Sequence, residues 1–184
     1  SDWKTYRNEE YGFEVRYPDN IKVADTKEMI ASIPLGYIRL CDFGETLLCL
    51  YIPKETYQNS TFEAAALSVE RLGEDWFLDE SFDRSKSEEN CLKNFGHDET
   101  TKYVANGITF YTYQFGDGAS GHTFGGFHYR TYRSGHCFQL TTGSAYGPAP
   151  SDLPEQGIRA FSEQASNGAL ETLDQILSTF KFIE

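Results

Sequence analysis

FHYRTYRSGHCFQLTT, at residues 127–142, is the stretch of this sequence that decides the fold. Aromatic and apolar side chains alternate with polar ones on both sides of Ser134-Gly135, a pair that favours a tight hairpin turn. The alternation predicts two antiparallel strands, at residues 127–133 and 136–142, each with one apolar face and one polar face.

A second hairpin signal lies upstream at Asn106-Gly107, the dipeptide most typical of a two-residue turn. It joins predicted strands at residues 101–105 and 108–115, so that four consecutive strands form an antiparallel meander. Five glycines between residues 116 and 126 predict a loop and a bulged entry into the third of these strands.

The elements outside the meander are predicted from shorter patterns. Alternation of apolar and charged residues predicts a strand at residues 12–18. A short strand is predicted at 21–24, and two more at 37–42 and 46–52, joined by a turn that contains Gly44. Ser60-Thr61-Phe62-Glu63 matches a capping box, and the apolar spacing behind it predicts an amphipathic helix that ends near Leu72. Residues 74–89 are acidic and predict a solvated connection, with calcium binding as the alternative. Asn167 is the predicted cap of a last helix, followed by a closing strand at residues 180–183.

Length, composition and charge limit the class of protein. The chain has 184 residues, of which 39% are hydrophobic and 15% aromatic, as expected for one folded domain over residues 1–184. Its formal net charge of −12 repels phosphate groups, so we expect no nucleic-acid partner. No apolar run reaches the roughly 18 residues of a membrane span.

Four cysteines, Cys41, Cys49, Cys91 and Cys137, indicate the compartment. No two of them have the C-x-x-C spacing of a zinc site or a thioredoxin-type motif. Their even number therefore predicts two disulfides and an oxidising compartment. Three pairings are possible, and we favour Cys41–Cys49, which closes a short loop, together with Cys91–Cys137. Four buried free thiols in a cytosolic protein are the alternative.

The first residues, Ser1-Asp2-Trp3, include no initiator Met. This start predicts a mature or shortened chain that lacks its export signal, and it is compatible with a lipid anchor on a preceding segment. We therefore expect a secreted, periplasmic or surface-anchored protein, and a monomer.

The Ser134-Gly135 turn also predicts which side chains meet on the polar face of the hairpin, because cross-strand partners lie side by side. The predicted pairs are Tyr132 with Cys137, Arg130 with Gln139, and His128 with Thr141.

These pairs contain the candidate ligand-binding residues: His128, Arg130, Tyr132, Gln139 and Thr141. A tyrosine that stacks and an arginine that pairs with anions suit an anionic or sugar-like ligand. An ordinary hydrated sheet face is the alternative. A Cys91–Cys137 disulfide would pin residues 90–95 across this face, either making a partly covered groove or burying the face.

No motif indicates a catalytic, cofactor or metal site. Ser144 is displaced by one position from the G-x-S-x-G pattern, and the glycine-rich residues 116–121 lack a P-loop lysine. The four histidines have no ligand spacing. We therefore expect no cofactor and no metal, with a metal site built from distant segments as the alternative.

The two ends of the chain, residues 8–18 and 170–183, resemble one family. Tyr11-Gly12-Phe13-Glu14-Val15-Arg16-Tyr17-Pro18 looks like the opening N-x-x-Y-G-F-x-x-x-Y-P of PsbP-like domains, which are found in many bacterial exported proteins and lipoproteins. Asn8 takes the first position, and Ile21 stands where an aromatic residue is common. The tail is similar to the closing helix and strand of that family.

The resemblance implies an α+β fold, an α-β-α sandwich with a central, mainly antiparallel sheet and helices on both faces. It also implies an accessory or binding role without shared catalytic residues. The sequence thus predicts a non-enzymatic exported binding or accessory domain of the cell envelope, whose ligand is an unknown protein or small molecule.

Two alternatives stay open. One is a small hydrolase or lyase in which His128 acts as general base beside Arg130 and Tyr132. The other is a structural assembly domain that recruits a partner through a strand edge. If Arg130 binds ligand, Arg130→Ala should weaken binding and leave the melting temperature nearly unchanged.

Overall fold

The computed structural model describes residues 2–33, 40–41, 44–73, 87–92, 101–119, 121–147, 160–161 and 163–183. Its strands are β1 (Trp3–Asn8), β2 (Phe13–Pro18), β3 (Lys22–Ala24), β4 (Glu45–Ile52), β5 (Phe62–Leu72), β6 (Thr101–Ala105), β7 (Ile108–Ala119), β8 (His122–Arg133), β9 (His136–Tyr146) and β10 (Lys181–Phe182). Its α-helices are α1 (Lys27–Ser32), α2 (Ser87–Leu92) and α3 (Glu163–Leu177).

The strands form two sheets. The larger sheet has seven antiparallel strands in the order β3-β4-β5-β9-β8-β7-β6, and the smaller has three in the order β1-β2-β10. The chain therefore belongs to the α+β class, as predicted, and most of its regular structure is antiparallel sheet. None of the described helices is both long and apolar enough to cross a membrane.

The two predicted hairpin turns are confirmed. Asn106 and Gly107 have φ values of 49° and 76°, and Ser134 and Gly135 have φ values of 52° and 80°. Positive φ at both central residues is the geometry of a type I′ turn, whose twist matches that of the flanking strands. The four-strand meander from β6 to β9 follows from these turns.

The predicted helix that ends near Leu72 is wrong, because this segment is the central strand β5. The strand lies between β4 and β9 and is covered on both faces, so apolar residues occupy both parities and mimic helical spacing. The capping box does not form either. Glu63 bonds to the His122 ring (Oε1 to Nδ1, 2.6 Å) in place of the backbone.

Two further predictions are wrong, and two others fall mostly outside the described residues. The glycine-rich residues 116–126 belong mainly to β7 and β8, where Gly116 faces Gly125 across the pair, so they extend the hairpin. Asn167 is not a cap, because α3 begins four residues earlier. The predicted strand at residues 37–42 lies mostly outside the described residues, and most of the predicted connection at 74–89 does too.

The seven-stranded sheet has two differently covered faces. The first, the helix face, packs against α3 and the smaller sheet, and its core includes Phe138, Leu140, Leu173 and Ile176. The opposite face, the cystine face, carries both disulfides, one near α1 and one in α2. Helices thus lie on both faces of the sheet.

Candidate functional site

Two disulfides lie in separate apolar clusters on the cystine face. Cys41–Cys49 sits in an apolar cluster with Leu40 and Ala66, and Cys91–Cys137 sits in another with Leu72. This is the pairing that the sequence favoured. The second disulfide fixes α2 against β8 and β9, beside the predicted ligand-binding residues.

The predicted register of the β8–β9 hairpin is confirmed. Tyr132 pairs with Cys137, Arg130 with Gln139, and His128 with Thr141. The face that carries these residues is covered, since His128, Arg130, Gln139 and Thr141 each expose 7% or less of their surface. Tyr132 is half-buried against the Cys91–Cys137 cluster. The alternative of an open, hydrated face is therefore excluded.

Gln139 is the centre of a polar cluster on this face. Its Oε1 accepts hydrogen bonds from Arg130 Nε at 2.8 Å and from the Tyr113 hydroxyl at 3.2 Å. Its Nε2 donates to Glu70 Oε2 at 3.2 Å and to Thr141 Oγ1 at 3.4 Å. One amide thus links a buried guanidinium to a buried carboxylate, as buried polar groups require.

Glu70 and Ser68 of β5 also belong to this cluster, although neither is predicted from the sequence. Both side chains are fully buried, and the Ser68 hydroxyl donates to Glu70 Oε1 at 2.8 Å. They were missed because β5 was predicted as a helix. The alternation Leu67-Ser68-Val69-Glu70 was the signal that indicates a strand with one polar parity.

Aromatic rings hold the two basic side chains of the cluster. The His128 ring stacks on Phe115, with centroids 4.4 Å apart, and its Nδ1 lies 2.9 Å from Thr141 Oγ1. The guanidinium of Arg130 lies 5.0 Å from the Tyr113 ring centroid. Burial lowers the pKa of Arg130, while the nearby Tyr113 and Glu70 act in the opposite direction. Burial raises the pKa of the Tyr113 hydroxyl, because it disfavours the charged phenolate.

This arrangement suits an internal network better than a reaction site. Its polar atoms bond to one another, and its charged groups are removed from water on a face fixed by a disulfide. A ligand cannot reach Arg130 or His128 from solvent in this conformation. The ligand-binding role of the five residues stays a prediction.

A separate cleft opens at the β8–β9 turn. Its volume is about 580 Å³, and it lies between this turn and the three-stranded sheet. Charged and aromatic side chains line it, among them Glu10, Tyr11, Arg71, Arg133, His136 and Phe182. We call this site the turn cleft.

The turn cleft cannot be recognised in the sequence, because its walls come from distant parts of the chain. Arg133 and His136 flank a turn that was predicted, but nothing local in the sequence shows that Glu10 and Phe182 face them. Among the described residues, no group of three or more His, Cys, Asp or Glu side chains is placed to hold a metal ion.

Comparison with known proteins finds similarity at the level of structure. No protein-family model and no curated protein matches the chain. A solved structure described as LpqN, involved in cell envelope biogenesis of Mycobacterium tuberculosis, is similar over 100% of this chain and 91% of that chain, at 9% sequence identity and a TM-score of 0.49. A likeness at this level does not indicate a shared function.

Proposed function

We propose that this protein is an exported, monomeric binding or accessory domain of the cell envelope, without catalytic activity. The observation that carries the proposal is the pair of disulfides, both of which hold peripheral segments on one face of the sheet. Disulfides of this kind persist in oxidising compartments and are rare in the cytosol. The net charge of −12 favours a partner other than nucleic acid.

The two segments that resemble PsbP-like domains lend support. They come from opposite ends of the sequence, yet their strands β2 and β10 are neighbours, with Phe13 opposite Phe182 and Glu14 opposite Lys181. Lys181 Nζ also lies 2.9 Å from Glu14 Oε1. The resemblance therefore rests on one contiguous part of the fold.

The hydrolase or lyase alternative is disfavoured by the surroundings of His128. A general base needs the proton that it abstracts within about 3 Å, in a pocket that substrate can enter. His128 has a partner at this distance, Thr141, but the ring is buried. The assembly alternative would be favoured by an exposed apolar patch. On the described surface the exposed large hydrophobic side chains are Met29 in α1 and Val104 in β6, which belong to separate elements.

Alkylation of the unreduced protein tests the proposal. The cells that make the protein naturally are separated into cytoplasmic and extracytoplasmic fractions. The protein in each fraction is then denatured without reductant and treated with a maleimide, which modifies free thiols. We expect the protein outside the cytoplasm with no modified thiol, and four modified thiols only after reduction. Four modified thiols before reduction, in a cytosolic fraction, would contradict the proposal.

A further inference from the structure

We infer that the turn cleft binds a short zwitterionic peptide with an apolar side chain. The inference deepens the proposed function, because it rests on the chain being a binding domain and names the class of ligand. It is carried by two opposite charges that line one cleft without pairing with each other.

The positive end of the turn cleft is Arg133. Its side chain is exposed and forms no ion pair within the described part of the chain. Its guanidinium carbon lies 4.7 Å from the centroid of the Phe182 ring, which holds the group in place by a cation–π contact. His136, its cross-strand partner, is also exposed and adds a second donor. This end suits a carboxylate.

The negative end is Glu10, in the turn between β1 and β2. Like Arg133, it is exposed and has no ion-pair partner among the residues that the structure describes. Because neither residue has such a partner, their charged atoms lie more than the 4.0 Å of an ion pair apart. A ligand amine can therefore approach Glu10 while a ligand carboxylate approaches Arg133.

The other charged groups of the cleft are already committed within the fold. Arg71 pairs with Glu45 and lies 5.3 Å from the Tyr11 ring centroid. Glu9 Oε1 lies 2.5 Å from Arg7 Nε. The unpaired charges of the cleft therefore form a dipole, which selects a ligand with both charges over a simple anion or cation.

Size and wall chemistry limit the ligand further. A volume of about 580 Å³ lies within the range of ligand pockets and holds a peptide of two or three residues. The aromatic walls of the cleft are Tyr11, Phe138 and Phe182. An apolar side chain of the ligand can pack against these rings. A dipeptide with one aromatic residue fits both requirements.

Calorimetric titration of the oxidised protein tests the inference with three probes: the dipeptide Ala-Phe, its N-acetyl form and its C-terminal amide. We expect Ala-Phe to bind, and each blocked form to bind at least about tenfold more weakly, the effect of one charge-assisted contact. Equal affinity of the three forms, or no binding of any form at millimolar concentration, would overturn the inference.

Two variants link the affinity to the cleft. Arg133→Gln should weaken Ala-Phe about tenfold, and Glu10→Gln should do the same while abolishing the preference for the free amine over N-acetyl. Arg16→Gln and Glu28→Gln, at exposed positions outside the cleft, are matched controls that should leave affinity unchanged. If the two cleft variants lost no more affinity for Ala-Phe than the two controls, the inference would be overturned.

The outcome is separable from that of the proposed function. Absence of peptide binding by a protein with both disulfides formed outside the cytoplasm overturns the ligand class alone. Free thiols in a cytosolic protein overturn the proposed export, whichever peptide binds.

Discussion

The helix face and the cystine face of the seven-stranded sheet are both buried, but by different chemistry. On the helix face, Leu140 of β9 packs with Leu173 and Ile176 of α3 in a continuous apolar core. On the cystine face, two small apolar clusters are separated by the polar cluster around Gln139.

The difference shows two ways of covering a sheet. Apolar burial is non-directional and scales with area, so the helix face needs little geometric precision. Buried polar groups stabilise only when each has its partner, so the cystine face depends on fixed geometry. Both disulfides lie on the face that depends on geometry.

The largest loss of stability is expected from a substitution that forces two strands of the seven-stranded sheet apart, because both faces of the sheet depend on these strands. A Cβ on Gly126 would lie 1.8 Å from the Thr142 carbonyl oxygen, so Gly126→Ala must displace β8 from β9. We expect a loss of more than about 4 kcal/mol in the free energy of unfolding, measured by urea denaturation. Gly73→Ala, where the added Cβ meets nothing within 4 Å, is the control. Similar stability of the two variants would contradict this packing.

The disulfides should differ in their contribution to stability. Cys91 and Cys137 are 46 residues apart, and Cys41 and Cys49 are 8 apart. Restriction of the unfolded chain predicts losses of about 4 kcal/mol for Cys91→Ser with Cys137→Ser and about 2.6 kcal/mol for the other double variant. Urea denaturation of both variants measures the order, and a larger loss from the shorter loop would contradict the account.

Arg130→Ala distinguishes an internal network from a ligand site. The structure leads us to expect a loss of about 3 kcal/mol, because the buried Glu70 and Gln139 would keep their polar groups without the guanidinium. Arg16→Ala, at an exposed position, should change stability by less than about 0.5 kcal/mol. An unchanged melting temperature for Arg130→Ala would restore the expectation from the sequence.

The smallest effect concerns Tyr129 on the helix face, whose hydroxyl donates to Asp174 Oδ1 at 3.2 Å. Burial raises the pKa of Tyr129 above the ordinary value of 10.0. Above pH 10 the unfolded chain therefore loses this proton while the folded chain keeps it, and stability falls as pH rises.

Tyr129→Phe should make this alkaline decline shallower by up to about 1 kcal/mol at pH 11. The measurement compares the unfolding free energy at pH 8 and pH 11 in the two proteins. Each protein's value at pH 8 is its own reference, because the substitution also removes the hydrogen bond to Asp174. An identical decline in both proteins would show that Tyr129 does not titrate differently on folding.

Local signals in the sequence were sufficient where local geometry decides the structure. The turns at Asn106-Gly107 and Ser134-Gly135 determined the register of the meander, and this register placed Arg130 opposite Gln139. Local signals were insufficient where neighbouring strands and burial determine the conformation of a segment. The first half of β5 resembles a helix because apolar residues at 64–67 occupy both faces of the strand. The alternation at residues 67–70 is too short to outweigh this pattern, so Glu70 was missed.

The turn cleft could not be predicted from the sequence for a related reason. Its opposite charges, Glu10 and Arg133, meet only when the three-stranded sheet packs beside the β8–β9 turn. No spacing rule connects residues so far apart in the sequence.

The pairing of β2 with β10 has a consequence for how the chain acquires its fold. Phe13 and its partner Phe182 are far apart in the sequence, so the three-stranded sheet cannot close until the whole segment between them has been synthesised. Contacts between such remote residues form slowly, since a long loop must close before they stabilise anything. Until then β2 can pair with β1 but not with β10, so the edge of β2 that β10 covers is available to other strands.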